Sequence, residues 1–574
     1  MYTIRMPSGQ YLDGEHKLAF EWNNQVLSTS DASVLPGSFT FPADVPLTDR
    51  NRIELGHPHL VANAAGWQAY DGAVIECYGI PMFTGRLTIR KCDDRKASIS
   101  VVANALYTVR DVLLSDLDLG GDRAVADWPA HMLATADTPE GYDYAFFPVW
   151  NPDHNDYPDT DTYYDERSWQ NYWDIATGAF TETAGAITPF ARVDYVLQAI
   201  FAGAGFSVDN AWQTTEELRR LYLYHNNDAR VLQGSYPSVT PGLPSIFNLK
   251  NHVPAIKARE FLKKLVAQWG LGFFTGVQQS DRVTILPVQA ALNRPPRHDW
   301  TLYSIDGTPR EEALSPARAY DYDQPVELPP GVPRPHQAIQ QRTLGDLNTT
   351  IAGLSPGVYW FYLEDGHVLI RIDKTVGGFS LETYLQHGGV YPYGDTETPL
   401  DTGMECLRTL YGGNEGFGYY AAPGKVSRWQ PVGAGYERRQ EQSPVALMLY
   451  RGIQDDGDGD VPLAANHVWL PSGSGGTRSH IISGGVSLGE SDYSLNWFGD
   501  RGLYAQFHRL FGSVMNGGKH VTIRFHLPVA QLVDFSFQDK VRVSNMDYFV
   551  KRLRVSDPVG RGRVMVEASM VSVI

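Results

Sequence analysis

The two ends of this chain are built alike and its middle is not, and that plan constrains the fold more than any single motif. Residues 1–105 and 519–574 consist of short stretches of alternating polarity broken by tight turns; between them lie two amphipathic helical segments and a long loop-rich region. Period-two alternation places successive side chains on opposite faces of a strand. Across residues 83–90, Leu87 and Ile89 fall on one face and Arg86, Thr88 and Arg90 on the other. Near the other end, Val521, Ile523 and Phe525 alternate with Thr522, Arg524 and His526, Val541 and Val543 flank Arg542, and Leu553 and Val555 flank Arg554. Each end reads as a compact β-sheet or barrel. With 574 residues, the chain is long enough for about three to five domains.

The middle changes character. Residues 116–187 form an acidic, turn-rich excursion. A helix is expected from Thr188 as its cap and Pro189 as its first residue, because Val193, Val196, Leu197, Ile200 and Phe201 recur at helical spacing before Gly203 and Gly205. A second helix is expected over 255–269, with Phe261, Leu262, Leu265, Val266 and Trp269 on one side and Gly270 closing it; a hairpin through Phe273, Phe274 and 282–286 follows. These elements make a small α+β domain over 188–305. A proline-rich linker is read over 306–337, with Pro325, Pro329, Pro330, Pro333 and Pro335. Residues 338–450, with strands at 358–363 and 367–372, read as a β-rich insertion. Residues 1–115 and 451–574 hold the terminal modules. The fold class is α+β, mainly β, and multidomain.

Composition narrows the role. A formal charge of −17 argues against non-specific nucleic-acid binding by the whole surface. The charge is uneven: residues 501–574 carry eleven Lys and Arg against five Asp and Glu, so this end is +6 and the remainder −23. Arg outnumbers Lys about three to one, which suits interfaces built from bidentate pairs. Cys77, Cys92 and Cys406 make neither a CxxC pair nor a disulfide framework. The first residues lack the apolar core of a signal peptide, and no run of 18 apolar residues exists to span a membrane.

Motifs for chemistry are weak. Asp456, Asp458 and Asp460 alternate as in a calcium loop, but Val461 and His467 stand where Gly and Glu are needed, so a solvated acidic turn is the simpler reading. Asp153, His154, Asp156, Asp159, Asp161, Asp165 and Glu166 offer carboxylates for a hard cation or a glycosidase pair, though in a loop that does not hold them a few ångströms apart in a cleft. His57 and His59 lack a nearby third ligand, and Ser474 sits in no nucleophile elbow, since Ser472 occupies the first Gly position. Tyr359, Trp360, Tyr362, Tyr419 and Tyr420 are candidates for sugar stacking or for core and interface anchors. Arg524, Arg542, Lys551, Arg552 and Arg554, with Arg561 and Arg563 beyond them, are candidates to face nucleic acid or to pair with acidic neighbours. Nothing calls for a cofactor or a metal, and the chain is read as a non-enzyme.

Several segments together resemble phage tail and baseplate hub proteins. Residues 42–60 (PADVPLTDRNRIELGHPHL) and the strand pair around Gly85-Arg86-Leu87 are similar to the first barrel of such hubs. Residues 189–197 with Gly205-Phe206, and then 254–269 running into Gly272-Phe273-Phe274, resemble their central part; residues 521–574, with Asp547 to Leu553, resemble their closing β-module. The resemblance covers about half of the chain in scattered blocks, with 306–518 fitting least. It implies a homotrimer whose two tube-type, barrel-like modules per subunit form a pseudo-sixfold ring. Such a ring adapts the tail tube, or a distal tail protein, to a threefold spike or central fibre protein. Its lumen passes the tape-measure protein and then DNA, and the protein, made in the host cytoplasm, sits in the virion at the tail tip. The rival reading is a tail-borne glycan-binding or glycan-cleaving protein, using the aromatic-rich 338–450 region and the acidic 153–166 loop.

Overall fold

Three two-residue hairpins set much of the strand register. Tyr78-Gly79, Ser544-Asn545 and Arg561-Gly562 all have positive φ at both positions, as the tight turns matching the natural strand twist require. They join Cys77 to Ile80, Val543 to Met546 and Gly560 to Arg563 as directly opposed residues. The structure, a computed structural model, describes residues 2–14, 16, 18–23, 37–60, 69–103, 111–150, 169–181, 185–233, 240–275, 282–306, 310–311, 319–321, 338–341, 344–363, 368–386, 399–401, 404–406, 408–412, 417–422, 428–432, 435–439, 445–455, 459–464, 469–470, 477–478, 480–495 and 501–573.

The N-terminal segment forms β1 (Tyr2–Arg5), β2 (Phe20–Asn23), β3 (Gly37–Thr40), β4 (Ala43–Pro46), β5 (Ala69–Cys77), β6 (Ile80–Cys92) and β7 (Lys96–Ala103). The alternation read from the sequence is the alternation of burial: Leu87 and Ile89 of β6 are buried. A short helix, Asp49–Glu54, is capped by the Thr48 hydroxyl, which accepts from the Asn51 amide.

In the middle, α1 (Trp128–Asp137) is capped by Asp127. Helix α2 (Val193–Gly203) carries the expected apolar stripe, and Val193, Val196, Leu197, Ile200 and Phe201 are all buried. Its start differs from expectation. Thr188 does not cap it: the Thr188 amide donates to Asn171 Oδ1 at 2.8 Å and its hydroxyl accepts from Gln170 Nε2 at 3.0 Å. Residues Phe190–Ala191 are a strand paired with Tyr144–Ala145. The helix begins only after Arg192, whose guanidinium clasps Asp194 in the first turn at 2.9 and 2.6 Å.

Strand β8 (Ser207–Asn210) follows, then α3 (Ala258–Trp269), starting three residues later than the pattern suggested. Gly270 ends α3 at φ +56°, where a Cβ would lie 2.9 Å from the Phe507 carbonyl oxygen. The expected hairpin is β9 (Leu271–Thr275) with β10 (Arg282–Pro287), and β8 runs parallel to β10. Its alternation serves two cores at once. Phe273, Val283 and Ile285 enter the central core, while Phe274 and Leu286 enter the core shared by the chain ends.

Farther along, α4 (Leu344–Gly353) packs on an antiparallel sheet of β11 (Gly357–Leu363), β12 (Val368–Thr375) and β13 (Gly378–Gln386), around Leu347, Ile351, Phe361, Ile370 and Ile372. Strand β14 (Val445–Asp455) then returns to the central core, pairing antiparallel with Leu221–Leu223. The prolines of the expected linker lie outside the described residues.

The C-terminal segment is α5 (Arg509–Gly517), entered through one π-helical turn at Tyr504–His508, then β15 (His520–Pro528), β16 (Lys540–Val543), β17 (Met546–Gly560) and β18 (Arg563–Val573). The two ends join. Strand β2 pairs antiparallel with β17, Trp22 opposite Leu553 and Phe20 opposite Val555. The result is a 13-stranded sheet in the order β1-β5-β6-β7-β3-β2-β17-β18-β15 and then Arg310–Glu311, with β4, β16 and His298–Asp299 alongside. One core backs it, with Ile4, Phe20, Trp22, Ile75 and Leu87 from one end and Ile523, Phe525, Leu553, Val555 and Val566 from the other. The molecule is mainly β, with several smaller sheets besides this large one. No helix among the described residues is long and apolar enough to cross a membrane.

Two buried arginines, Arg451 and Arg220, tie β14 and the 480–495 stretch to the central core through ion pairs. Arg451 is fully buried and pairs with Glu217. That carboxylate also accepts from the Ser491 hydroxyl at 2.6 Å and the Asp492 amide at 2.7 Å. Arg220 pairs with Glu140, and its Nη1 donates to the Ile482 carbonyl at 2.6 Å. Gly452, at φ +84°, lets that carbonyl approach: a Cβ there would overlap the Ile482 oxygen. Gly452→Ala is therefore expected to destabilise the protein by about 2–4 kcal/mol, read as a lowered urea midpoint.

Burial holds the His16 and His131 rings below the usual histidine range, with the nearby Arg123 charge adding to the effect at His131. A histidine whose folded pKa lies below its unfolded one binds protons more readily when unfolded. Stability is thus retained above the ordinary histidine pKa of about 6.5 and lost as pH falls below it. The urea midpoint should drop between pH 7.5 and 5, and the drop should shrink in His131→Gln.

Candidate partner-facing strand surface

The basic residues singled out near the C-terminus sit on the outward face of the large sheet because alternation in β15, β17 and β18 sends the apolar partners inward. Ile523, Phe525, Leu553, Val555, Val566 and Ala568 are buried, while Arg524, Arg552 and Arg554 are exposed. Neighbouring strands then decide what each cation meets. Glu21 of β2 stands opposite Arg554 of β17, Arg554 opposite Glu567 of β18, and Glu567 opposite Arg524 of β15. Asp306 closes the row, accepting from Arg524 Nη2 at 2.8 Å and from the Arg524 amide at 2.9 Å. Five side chains of alternating sign thus run across four strands and one flanking loop.

The ionisation of the row follows its geometry. Hydrogen bonds to Asp306 push the Arg524 guanidinium up, and the same contacts hold the Asp306 carboxyl below its ordinary range. The guanidinium of Arg554 also lies over the Phe41 ring, 4.8 Å from its centroid. Arg542 repeats the pattern between Asp299 and Asp547, its partners in register, with Nε 2.8 Å from Asp547 Oδ1. The hydrogen bond to Asp547 raises the Arg542 pKa.

Lys551 and Arg552 differ. The pairing of β17 with β18 slips between Val550 and Arg552, so Lys551 is the extra residue of a β-bulge. Its ammonium lies 3.0 Å from Nδ1 of the buried His520; having only donors, it must donate to that nitrogen. Arg552 stands opposite Asn23 and Ser569 and makes no ion pair among the described residues. Arg561 is a hairpin-turn residue, and the Arg563 guanidinium lies 5.9 Å from the Tyr303 ring centroid. The candidate basic residues therefore share one sheet but form no continuous positive stripe. The sequence did carry a signal for their acidic partners: Glu21 lies between Phe20 and Trp22, and Glu567 between Val566 and Ala568. What it lacked was the strand order that lines them up.

The other candidates are dispersed. His57 and His59 have ring centroids 6.0 Å apart, and no group of three or more potential metal ligands exists among the described residues. Tyr362 is fully buried, Trp360 packs against the central core and the Tyr359 hydroxyl donates to the Ser355 carbonyl at 3.0 Å. Tyr419 and Tyr420 belong to the strand Phe417–Ala422, whose side chains lie outside the described set. Asp460 is a strand residue opposite Asp455. Asp456, Asp458, Ser474 and the acidic residues of 153–166 lie outside the described residues, as does the side chain of Cys406. Cys77 and Cys92 are free thiols.

No family model and no curated protein matches the chain. Among solved structures, it is similar to the crystal structure of the 43 kDa tail protein of prophage MuSo2 from Shewanella oneidensis. That alignment covers 99% of this chain and 97% of that one at 9% sequence identity, with a TM-score of 0.30. A score that low establishes no common fold.

A face on which Arg524, Arg542 and Arg554 already have acidic partners should bind DNA weakly. Fluorescence anisotropy with a short labelled duplex at about 0.15 M salt should show little binding by the natural protein. The double variant Asp306→Asn with Glu567→Gln leaves Arg524 without an acidic partner and Arg554 with Glu21 alone, and should bind several-fold more tightly with a steeper salt dependence.

Proposed function

We propose that the chain is a structural subunit of a phage or phage-like tail tip, the hub that joins the tail tube to a spike or fibre. The observation that supports this most is the pairing of β2 with β17, which turns two terminal modules into one continuous wall over a common core. Long sheets leave hydrogen-bonding edges that proteins cover or close; a wall of this kind becomes self-limiting when several copies close into a ring. The resemblance of residues 42–60, 189–197 with Gly205-Phe206, 254–269 with Gly272-Phe273-Phe274, and 521–574 to hub proteins points the same way.

On this reading the subunit is homotrimeric, each copy contributing two strand-built modules to a pseudo-sixfold ring around a passage. The passage carries the tape-measure protein and then DNA, and a sheet face of alternating charge suits transit because it offers a polyanion no run of cations to adhere to. The chain performs no turnover; its work is to match symmetries and keep a conduit. Its partners are the tail tube or a distal tail protein on one side and a spike or central fibre on the other.

Light scattering on the purified chain, followed by negative-stain imaging, tests the proposal. The expected species is three copies of the 63.8 kDa chain, near 191 kDa, with a central hole. A monomer at every concentration, both alone and mixed with purified tail tubes, would overturn it.

A further inference from the structure

Away from the strand face, a cleft of about 550 Å³ opens beside the two-strand ladder of Asp122–Ala124 with Ile246–Asn248. Its volume lies in the range of small-molecule sites, which combine an apolar wall with a few fixed polar groups. One side is apolar: Pro244, Phe247 and the half-exposed Ile246. The rest of the lining is mainly polar, and part of it is rigidly held. Asp228 accepts from the amides of Ile187 and Arg230 at 3.1 and 2.9 Å, and its second oxygen takes Arg230 Nε at 2.9 Å. Asp228 and Arg230 expose only 2% and 10% of their side chains.

We propose that this cleft binds a neutral polyhydroxylated ligand, a saccharide unit of a glycan. Three polar groups remain uncommitted in it. Arg230 Nη1 makes no hydrogen bond among the described residues, nor does the side-chain amide of the exposed Asn251. Asp122 accepts from Asn248 Nδ2 at 2.9 Å through one oxygen only, leaving the other available. A donor, a group that both donates and accepts, and an acceptor are the set that neighbouring hydroxyls satisfy, since each hydroxyl does both. The apolar wall suits the C–H face of a pyranose ring.

Charge narrows the class further. Arg230 cancels Asp228, so Asp122 leaves the cleft with a net negative charge that disfavours phosphates and carboxylates. A divalent cation would find a single uncommitted carboxylate. The inference stands on the cleft alone; failure of the chain to form a ring would leave it untouched.

Saturation-transfer NMR on the full chain, with methyl glycosides of glucose, galactose, mannose, rhamnose and N-acetylglucosamine, tests it. Asn251→Leu and Ile246→Glu change exposed side chains, and circular dichroism with a melting curve checks that each variant folds. Transfer to the ring protons of at least one sugar is expected, with affinity falling about five- to tenfold in each variant, as loss of one hydrogen bond or apolar contact implies. No transfer to any of the five sugars, or transfer unchanged in both variants, would overturn the proposal. Tighter binding of glucose 6-phosphate than of glucose would overturn it as well.

Discussion

Everything in the large sheet depends on four residues of β2, Phe20 to Asn23, pairing with Val555 to Arg552 of β17. The pairing joins segments more than five hundred residues apart in sequence. Closing so long a loop is entropically unfavourable, although the cost grows only logarithmically with length. What offsets it is burial. Trp22 and Leu553 face each other across the seam, Phe20 and Val555 do the same, and all four are essentially inaccessible to water. The seam also removes two exposed strand edges that would otherwise invite association.

The outward side of that seam shows how register turns a local charge pattern into a surface property. Along β17, Arg552 and Arg554 look like part of a basic strand; across the sheet, Arg554 lies between Glu21 and Glu567, and Arg524 between Glu567 and Asp306. Exposed pairs of this kind contribute little to stability individually. Their consequence is electrostatic: the cations of these rows meet carboxylates although the C-terminal segment carries an excess of positive charge. The inward pairs have a different role. Arg451 with Glu217 is buried on both sides and expensive to strip of water, the buried Arg220 reaches the exposed Glu140, and each carboxylate collects further donors, which locks β14 and the 480–495 stretch onto the central core.

Much of the secondary structure was legible, and for one reason: local periodicity reports burial. The apolar stripes of α2 and α3, the left-handed Gly270 and the alternation in β6, β15 and β17 all follow from the chain's own spacing. The start of α2 was not legible. Thr188 and Pro189 form a good local cap, but Thr188 finds tertiary hydrogen bonds to Gln170 and Asn171 and Phe190–Ala191 finds a strand partner. A buried polar group satisfied by distant atoms outweighs a weak local preference.

The sequence by itself determined the alternating strands of the two ends, the apolar stripes of α2 and α3, and that the two ends share a construction. Each of these is set within a few residues by backbone geometry and the hydrophobic effect. The tertiary structure alone decided that the two ends form one sheet, that Glu21, Glu567 and Asp306 answer the arginines, and that Asp122, Arg230 and Asn251 line one cleft. These depend on strand order and on contacts between residues far apart in the chain, and alternation within a strand is blind to the neighbour it will acquire.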